Sequence, residues 1–156
     1  MKHFLSILVI LLVFSCNAQE KEIDITGNWY LSPHKGLEGF TYKEIFISDK
    51  VISVYQDIYG FNIEYFYTQE KNVLYLIIND ENIKHSNIQY INENVISFEL
   101  IDGSFIIYKR IIGDELTFED YLFKDPYKEG KHKSKLEGEF LKAFNSRKKI
   151  NTSQKK

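Results

Sequence analysis

Apolar and polar positions alternate over most of this chain in short runs that are typical of β-strands. Eight such runs, each rich in Ile, Val, Tyr or Phe, follow one another at intervals of about ten residues, as strands do in all-β sandwiches and barrels. Polar turn residues separate them. Asp102-Gly103 is the strongest turn signal, because both residue types tolerate the positive φ of a type I′ hairpin turn. The predicted strands cover residues 25–31, 40–48, 50–57, 61–68, 72–79, 86–91, 94–101 and 104–111.

The short links between these runs favour antiparallel pairing in sequence order. No helix-length pattern interrupts residues 25–112, so a parallel sheet with crossover helices is disfavoured. An open meander of eight strands would expose two long edges, and closure of the sheet removes them. A closed barrel of eight strands has room for packed side chains or for one small ligand. The pattern therefore predicts an all-β fold, an eight-stranded antiparallel up-and-down barrel over residues 25–112.

The pattern changes after the eighth run. Thr117 and Asp120 have the spacing of a capping box, which predicts a short helix. Residues 131–149 then carry apolar side chains at helical spacing with charged residues between them, which predicts a C-terminal amphipathic α-helix. We expect residues 113–149 to form these two helices and to pack on the barrel, and residues 150–156 to be a disordered tail. The apolar positions of the long helix are Leu136, Phe140, Leu141 and Phe144.

The N-terminus has the pattern of a secretory signal peptide, with a basic start, an apolar run over residues 4–14 and small residues after it. The run is too short for a permanent transmembrane helix. Residues 13–16, Val-Phe-Ser-Cys, resemble a bacterial lipobox, in which the cysteine becomes the lipidated first residue of the mature chain. Phe14 departs from the small residue usual at its position. Cys16 is therefore a candidate lipidation site.

Two cleavage sites stay open. Lipidation of Cys16 makes residues 1–15 the signal peptide and residues 16–24 a tether, whereas ordinary cleavage after Ala18 makes residues 1–18 the signal peptide. In the first case acyl chains would hold the protein on a membrane, since each buried methylene contributes about 0.8 kcal/mol. Both predict an exported protein. The lipobox resemblance implies a bacterial cell envelope, with the protein membrane-anchored at the periplasmic face or the cell surface.

The start of the first predicted strand, Gly27-Asn28-Trp29, resembles the Gly-x-Trp signature of the lipocalin and calycin group. In that family the tryptophan closes one end of an eight-stranded barrel, and an arginine from the last strand stacks on it. Arg110 matches that arginine in position and type, and such a pair contributes about 0.5–2 kcal/mol. The family also has a helix after the eighth strand. The resemblance implies a lipocalin-like domain of a bacterial exported protein, closed by Gly27, Trp29 and Arg110.

Aromatic residues are abundant, with 12 Phe and 11 Tyr. Tyrosine combines an apolar ring with a polar tip, which suits a small interior that holds an amphiphilic ligand. If a ligand is bound, we expect an interior cavity on the order of 300 Å³. The alternative is that these large rings fill a solid barrel, and close packing favours it. The candidate ligand-binding residues of the central strands are Tyr55, Tyr65, Tyr67 and Tyr75.

Several chemistries lack a signal in the sequence. A single cysteine excludes an internal disulfide and Cys-based zinc patterns. The four histidines are not spaced as metal ligands, and no nucleotide-binding or nucleophile motif occurs. Carboxylate pairs such as Asp80/Glu81 and Asp114/Glu115 lie in predicted turns. We therefore expect no catalytic residues, no cofactor, no metal and no enzymatic activity.

The charge is unevenly distributed. Residues 131–156 hold nine Lys or Arg and two Glu, whereas the chain as a whole has a net charge of −2. The basic helix of residues 131–149 has three possible roles. It could lie on the acidic barrel as a strut, or it could dock an envelope protein. It could also contact an anionic surface such as lipid, where each basic residue adds about 1 kcal/mol of binding energy. Nucleic acid is disfavoured, since no interleaving of basic and aromatic residues supports it.

Two functions follow from these patterns. The first is a membrane-tethered lipocalin-like binding module for a small apolar or amphiphilic ligand. The second is a structural or interaction lipoprotein with a packed barrel, which acts through its loops or its basic C-terminal helix.

Overall fold

The computed structural model describes residues 22–32, 41–56, 61–113, 115–124 and 133–153. Within them, eight strands form a closed barrel in which every strand pairs antiparallel with its sequence neighbours and the last strand pairs with the first. The predicted fold class is confirmed. The strands are β1 (Gly27–Leu31), β2 (Lys43–Ile47), β3 (Val51–Gln56), β4 (Phe61–Glu70), β5 (Val73–Ile78), β6 (Glu81–Asn92), β7 (Val95–Leu100) and β8 (Phe105–Arg110).

The strand directions define two ends of the barrel. Antiparallel neighbours reverse at every link, so β1 begins at the end of the barrel where β8 finishes. Trp29 and Arg110 are register partners there, and this end is called the closed end. The opposite end, where β2 begins with Lys43, is called the open end. The hairpin between β5 and β6 lies at this open end.

That hairpin differs from the prediction. β6 begins at Glu81, five residues before the predicted strand, because β5 and β6 are joined by a tight turn at Asn79 and Asp80. Both turn residues have positive φ, 52° and 64°. Two positive φ values match the twist of a hairpin and let pairing begin directly after the turn. The first four residues of β6 are exposed and mostly polar, which hid this part of the strand in the sequence pattern.

The turn between β7 and β8 also differs from the prediction of a type I′ turn. Of Asp102 and Gly103, only Gly103 has a positive φ, at 80°. The Leu100 N–H donates to the Ser104 carbonyl oxygen at 2.8 Å, which closes a longer loop. The Asp102 carboxylate accepts from the Ser104 N–H at 2.9 Å. The loop therefore needs a left-handed conformation at one residue only, and glycine supplies it.

Two helices follow the barrel. The first, α1 (Phe118–Phe123), begins with the predicted capping box, in which Thr117 and Asp120 each bond the other's backbone N–H. The second, α2 (Lys133–Ser153), continues beyond residue 149, so residues 150–153, which were predicted to belong to a disordered tail, are helical. The carbonyl of Arg147 accepts from the Asn151 side chain at 2.9 Å, which adds a contact within this last part of α2.

The described residues form two apolar clusters, one on each face of the sheet. The inner cluster lies inside the barrel, and its centre includes Trp29, Ile47 and Ile96, all fully buried. The outer cluster lies between the outer face of β2–β3 and the two helices. Buried residues on both faces explain why β2 and β3 show no clear alternation in the sequence. The buried members of the outer cluster are Tyr42, Phe46, Tyr55, Phe118, Phe140 and Phe144.

Candidate functional site

The closed end of the barrel is sealed by Trp29 and Arg110. The Arg110 guanidinium carbon lies 4.2 Å from the centre of the Trp29 ring. The indole N–H donates to the Ile25 carbonyl at 2.9 Å. Arg110 donates to two carbonyl oxygens, those of Thr26 and Glu93, both at 3.1 Å. The stacked pair that the sequence predicted is therefore present, and hydrogen bonds fix the position of each partner.

Gly27 makes space for this pair. Its φ is +117°, a conformation that side-chain-bearing residues rarely adopt. A Cβ at this position would lie 2.6 Å from Nη1 of Arg110. Because Arg110 is held by its carbonyl partners and by Trp29, it cannot move aside without loss of those contacts. The geometry thus gives a physical reason for glycine at the first position of the Gly-x-Trp pattern.

The interior above this seal contains a cavity. It has a volume of about 220 Å³ and extends from Lys43 near the open end to Ile47 and Ile52 deeper inside. Below it, Trp29 and its neighbours are closely packed and fully buried. The cavity is smaller than the expected 300 Å³, because large side chains fill the closed half. Its lining residues are Lys43, Ile45, Ile47, Ile52, Val54, Tyr65, Leu74, Leu76, His85, Phe98, Ile106 and Tyr108.

Two basic side chains interrupt this apolar lining. Lys43 Nζ lies 5.8 Å from the centre of the Tyr108 ring, and burial lowers the pKa of Lys43. His85 Nδ1 lies 3.1 Å from Ser86 Oγ. Burial, and then the charge of Lys43, lower the pKa of His85. Burial also raises the pKa of Tyr108. Burial therefore disfavours the charged form of each of these three side chains.

The four tyrosines predicted to bind ligand do not share one site. Tyr65 lines the cavity and is 39% exposed. Tyr67 belongs to the inner cluster but lies outside the cavity lining; its hydroxyl donates to the Ser48 carbonyl at 2.7 Å, and burial, with nearby carboxylates, raises its pKa to about 12. Tyr75 is outside the lining and is a register partner of Lys84.

Tyr55 corrects the prediction most clearly. It faces out of the barrel, and its ring contacts Phe140 and Phe144 of α2 at centroid distances of 4.9 Å each. The sequence pattern does not show which face of the sheet carries Tyr55, because both faces of β3 are buried. A tyrosine in an aromatic outer cluster stabilises the helix on the barrel and has no access to the interior. Of the four candidates, Tyr65 alone lines the cavity.

A buried ion pair also joins α2 to the barrel, and the sequence did not reveal it. Arg147 donates to both carboxylate oxygens of Glu44, at 2.7 and 2.9 Å, and Glu44 is fully buried. The Tyr42 hydroxyl donates to the same carboxylate at 2.8 Å. Arg147 further donates to Glu115 at 3.2 Å and to the Leu116 carbonyl at 3.2 Å. This network fixes the position of α2 along β2.

The packing of α2 bears on the three interpretations of the basic helix. Leu136, Phe140 and Phe144 are buried against the barrel, so this segment is a strut. Other basic residues of α2 remain on its outer surface. Lys133, Lys135 and Lys142 are exposed. Packing on the barrel therefore leaves a basic outer surface on the helix.

Two wider clefts lie at the closed end. One, of about 370 Å³, is lined by Glu22, Asp24, Asp49 and Tyr67 among others, and the other, of about 510 Å³, lies beside Lys50 and Glu119. Both are open grooves with polar or charged rims. Small-molecule sites are usually enclosed and mostly apolar with a few polar groups. The interior cavity fits that description better than either groove.

Among the described residues, no group of three or more His, Cys, Asp or Glu has a geometry that could hold a metal ion. Neither described helix is long and apolar enough to cross a bilayer. Cys16, His34 and the predicted signal peptide lie outside the described residues.

Comparisons of the chain with models of protein families, with curated proteins and with solved structures give no significant match.

Proposed function

We propose that this protein is a lipocalin-like binding module that holds a small apolar or amphiphilic ligand in the open half of its barrel. The observation that carries the proposal is the cavity of about 220 Å³ above the Trp29 seal. A barrel that serves only as a scaffold is more stable when such space is filled, since each buried methylene contributes about 0.8 kcal/mol. Retained apolar space with a few polar groups is typical of a ligand site.

The volume limits the size of the ligand. A methylene occupies about the 30 Å³ that a water molecule takes in the liquid. The cavity therefore accommodates about seven non-hydrogen atoms, with further atoms at the mouth beside Lys43. Straight-chain alcohols of six to eight carbons, or one aromatic ring with a short substituent, match that size. Long-chain lipids exceed it unless most of the chain stays outside.

Titration with heptan-1-ol tests this proposal, followed by protein NMR. We expect saturable shifts of methyl signals that line the cavity. Leu76→Phe would fill the space and weaken binding at least tenfold. Ile77→Phe is the matched control, because Ile77 is the next residue of β5 and lies outside the cavity lining. Absence of saturable binding, or equal weakening by both substitutions, would contradict a ligand site in the interior.

Export and membrane attachment belong to the same proposal. The signal-like N-terminus and the lipobox-like residues before Cys16 support an envelope protein tethered by acyl chains. The mass of the mature N-terminal peptide tests it. We expect a diacylated or triacylated Cys16, and Cys16→Ser would release the protein from membranes. A mature chain that begins at Gln19 would remove the tether and leave export.

A second candidate function is an interaction protein that acts through the basic surface of α2. The exposed side chains of Lys133, Lys135 and Lys142 favour it. Co-sedimentation with vesicles that contain anionic lipid tests this candidate. Replacement of these three lysines by glutamate should abolish co-sedimentation if the surface binds lipid. Equal binding by both forms would contradict it.

A further inference from the structure

One lysine, Lys43, lines the otherwise mostly apolar cavity beside a single histidine. Lys43 is the first residue of β2, and like Ile45 and Ile47 of the same strand it lines the cavity. Its ammonium group faces the Tyr108 ring at 5.8 Å. Among the residues that the structure describes, no carboxylate forms an ion pair with Lys43. Burial alone lowers the pKa of Lys43.

The buried cation of α2 shows the contrast with the half-buried Lys43. Arg147 contacts Glu44 and Glu115, so its charge is balanced by two carboxylates. Buried charges are normally paired, because removal of an ion from water is costly without a partner. Lys43 lines an apolar space, and no carboxylate of the described residues is its partner. An anion that enters the cavity would supply one.

A second hydrogen-bonding group stands beside this cation. His85 lines the same cavity and contacts Ser86 through Nδ1. If Ser86 donates to Nδ1, the proton of the neutral ring is on Nε2 and can be donated to a ligand. The charge of Lys43 helps to keep this ring neutral. With Lys43 as the one lysine or arginine of the lining, the cavity matches a monoanion better than a dianion.

We infer that the cavity binds a small amphiphilic carboxylate, with its carboxylate at Lys43 and His85 and its apolar chain directed toward Ile47 and Ile52. The inference rests on the proposed function and names the ligand class for the same cavity. Lys43 lies near the open end, where a carboxylate keeps contact with water, while the deeper lining is apolar. The cavity volume limits the buried chain to about seven non-hydrogen atoms.

The test compares ligands that differ only in the head group: heptanoate, heptan-1-ol and heptylammonium, titrated at pH 7.5 into the full protein. A charge-assisted hydrogen bond in a partly buried site favours the carboxylate over the alcohol by about tenfold or more. We expect heptylammonium to bind more weakly than the alcohol. Lys43→Met should abolish the preference for heptanoate over heptan-1-ol. Lys43→Arg should retain the preference.

Lys84→Met is the matched control, since Lys84 is an exposed residue that precedes His85. It should leave all three affinities unchanged. If heptanoate and heptan-1-ol bind equally well to the wild-type protein, the carboxylate assignment is wrong and the proposed function stands. A preference that survives in Lys43→Met removes Lys43 from the site and overturns the inference. If none of the ligands binds, the proposed function and the inference both fail.

Discussion

The buried pair of Glu44 and Arg147 gives the sharpest prediction for stability. Substitution of Arg147 by Met keeps a long apolar side chain on α2 but removes both hydrogen bonds to the Glu44 carboxylate. Glu44 is fully buried and would retain the Tyr42 hydroxyl as a donor. We expect a strongly destabilised protein, because the variant leaves an uncompensated charge between the helix and the barrel.

The expected loss of unfolding free energy is about 3–5 kcal/mol, the range for removing one partner of a buried ion pair. A total stability of about 5–15 kcal/mol is usual for a domain, so this loss is a large share of it. The double variant Glu44→Gln/Arg147→Met removes both charges and keeps an oxygen that accepts from Tyr42. Replacement of a whole buried pair is often close to neutral. We therefore expect the double variant to recover about 2 kcal/mol or more of the loss.

Urea unfolding monitored by the fluorescence of Trp29, the only tryptophan, measures these values. Lys142→Met is the matched control on α2, since Lys142 is exposed and an exposed substitution changes stability by about 0.5 kcal/mol or less. The reasoning would be refuted if Arg147→Met cost no more than the control. It would also be refuted if the single and double variants were equally unstable, since the two charges would then not be coupled.

Three further predictions concern the seal and the cavity. Gly27→Ala should lower the free energy of unfolding by about 1–3 kcal/mol, because the positive φ of Gly27 and its contact with Arg110 both exclude a Cβ. Gly138→Ala in α2, with open space around it, should stabilise the protein by up to about 1 kcal/mol. Urea unfolding compares the two variants, and equal effects would contradict the role of Gly27. Lys43→Met should be more stable than wild type at pH 7, because burial lowers the pKa of Lys43 and each pKa unit corresponds to about 1.4 kcal/mol. Wild-type stability then rises as pH increases toward 10.5, so the difference between the two proteins should shrink in that range, and a less stable variant at pH 7 would contradict the account. Burial and the charge of Lys43 lower the pKa of His85, so the unfolded chain binds a proton at a higher pH than the folded protein does. As pH falls through 6.5, wild type should therefore lose stability relative to His85→Gln, until the folded-state pKa is passed. Parallel profiles of stability against pH for the two proteins would contradict this.

The closed end could be predicted from the sequence because its residues are recognised by their type and by their position in the first and last strands. Gly27 and Trp29 are two residues apart in one strand, and Arg110 is the last residue of the last strand. Barrel closure brings the first and last strands together, so the contact follows once eight strands are counted. The space above the seal is different, since cavity volume depends on how twelve side chains from several strands pack.

The misplaced tyrosine and the missed ion pair have a common physical origin. A period of two shows the inner face of a strand only when the outer face is polar. In β2 and β3 both faces are buried, one by the barrel interior and one by α2, so Glu44 and Tyr55 could not be assigned a direction. Arg147 lies 103 residues from Glu44 in the chain. No local pattern connects residues so far apart, and only the docking of α2 pairs them.

The most direct test of the central claim is the position of a bound ligand inside the barrel. NMR with methyl-labelled protein and unlabelled heptanoate measures intermolecular contacts. The account predicts contacts between the terminal methyl of heptanoate and Ile47 or Ile52, and contacts from the carbon next to the carboxylate to Ile45, which follows Lys43 in the lining of β2. Contacts confined to residues outside the cavity, or a chain whose methyl end points toward Lys43, would contradict a binding site built from this interior.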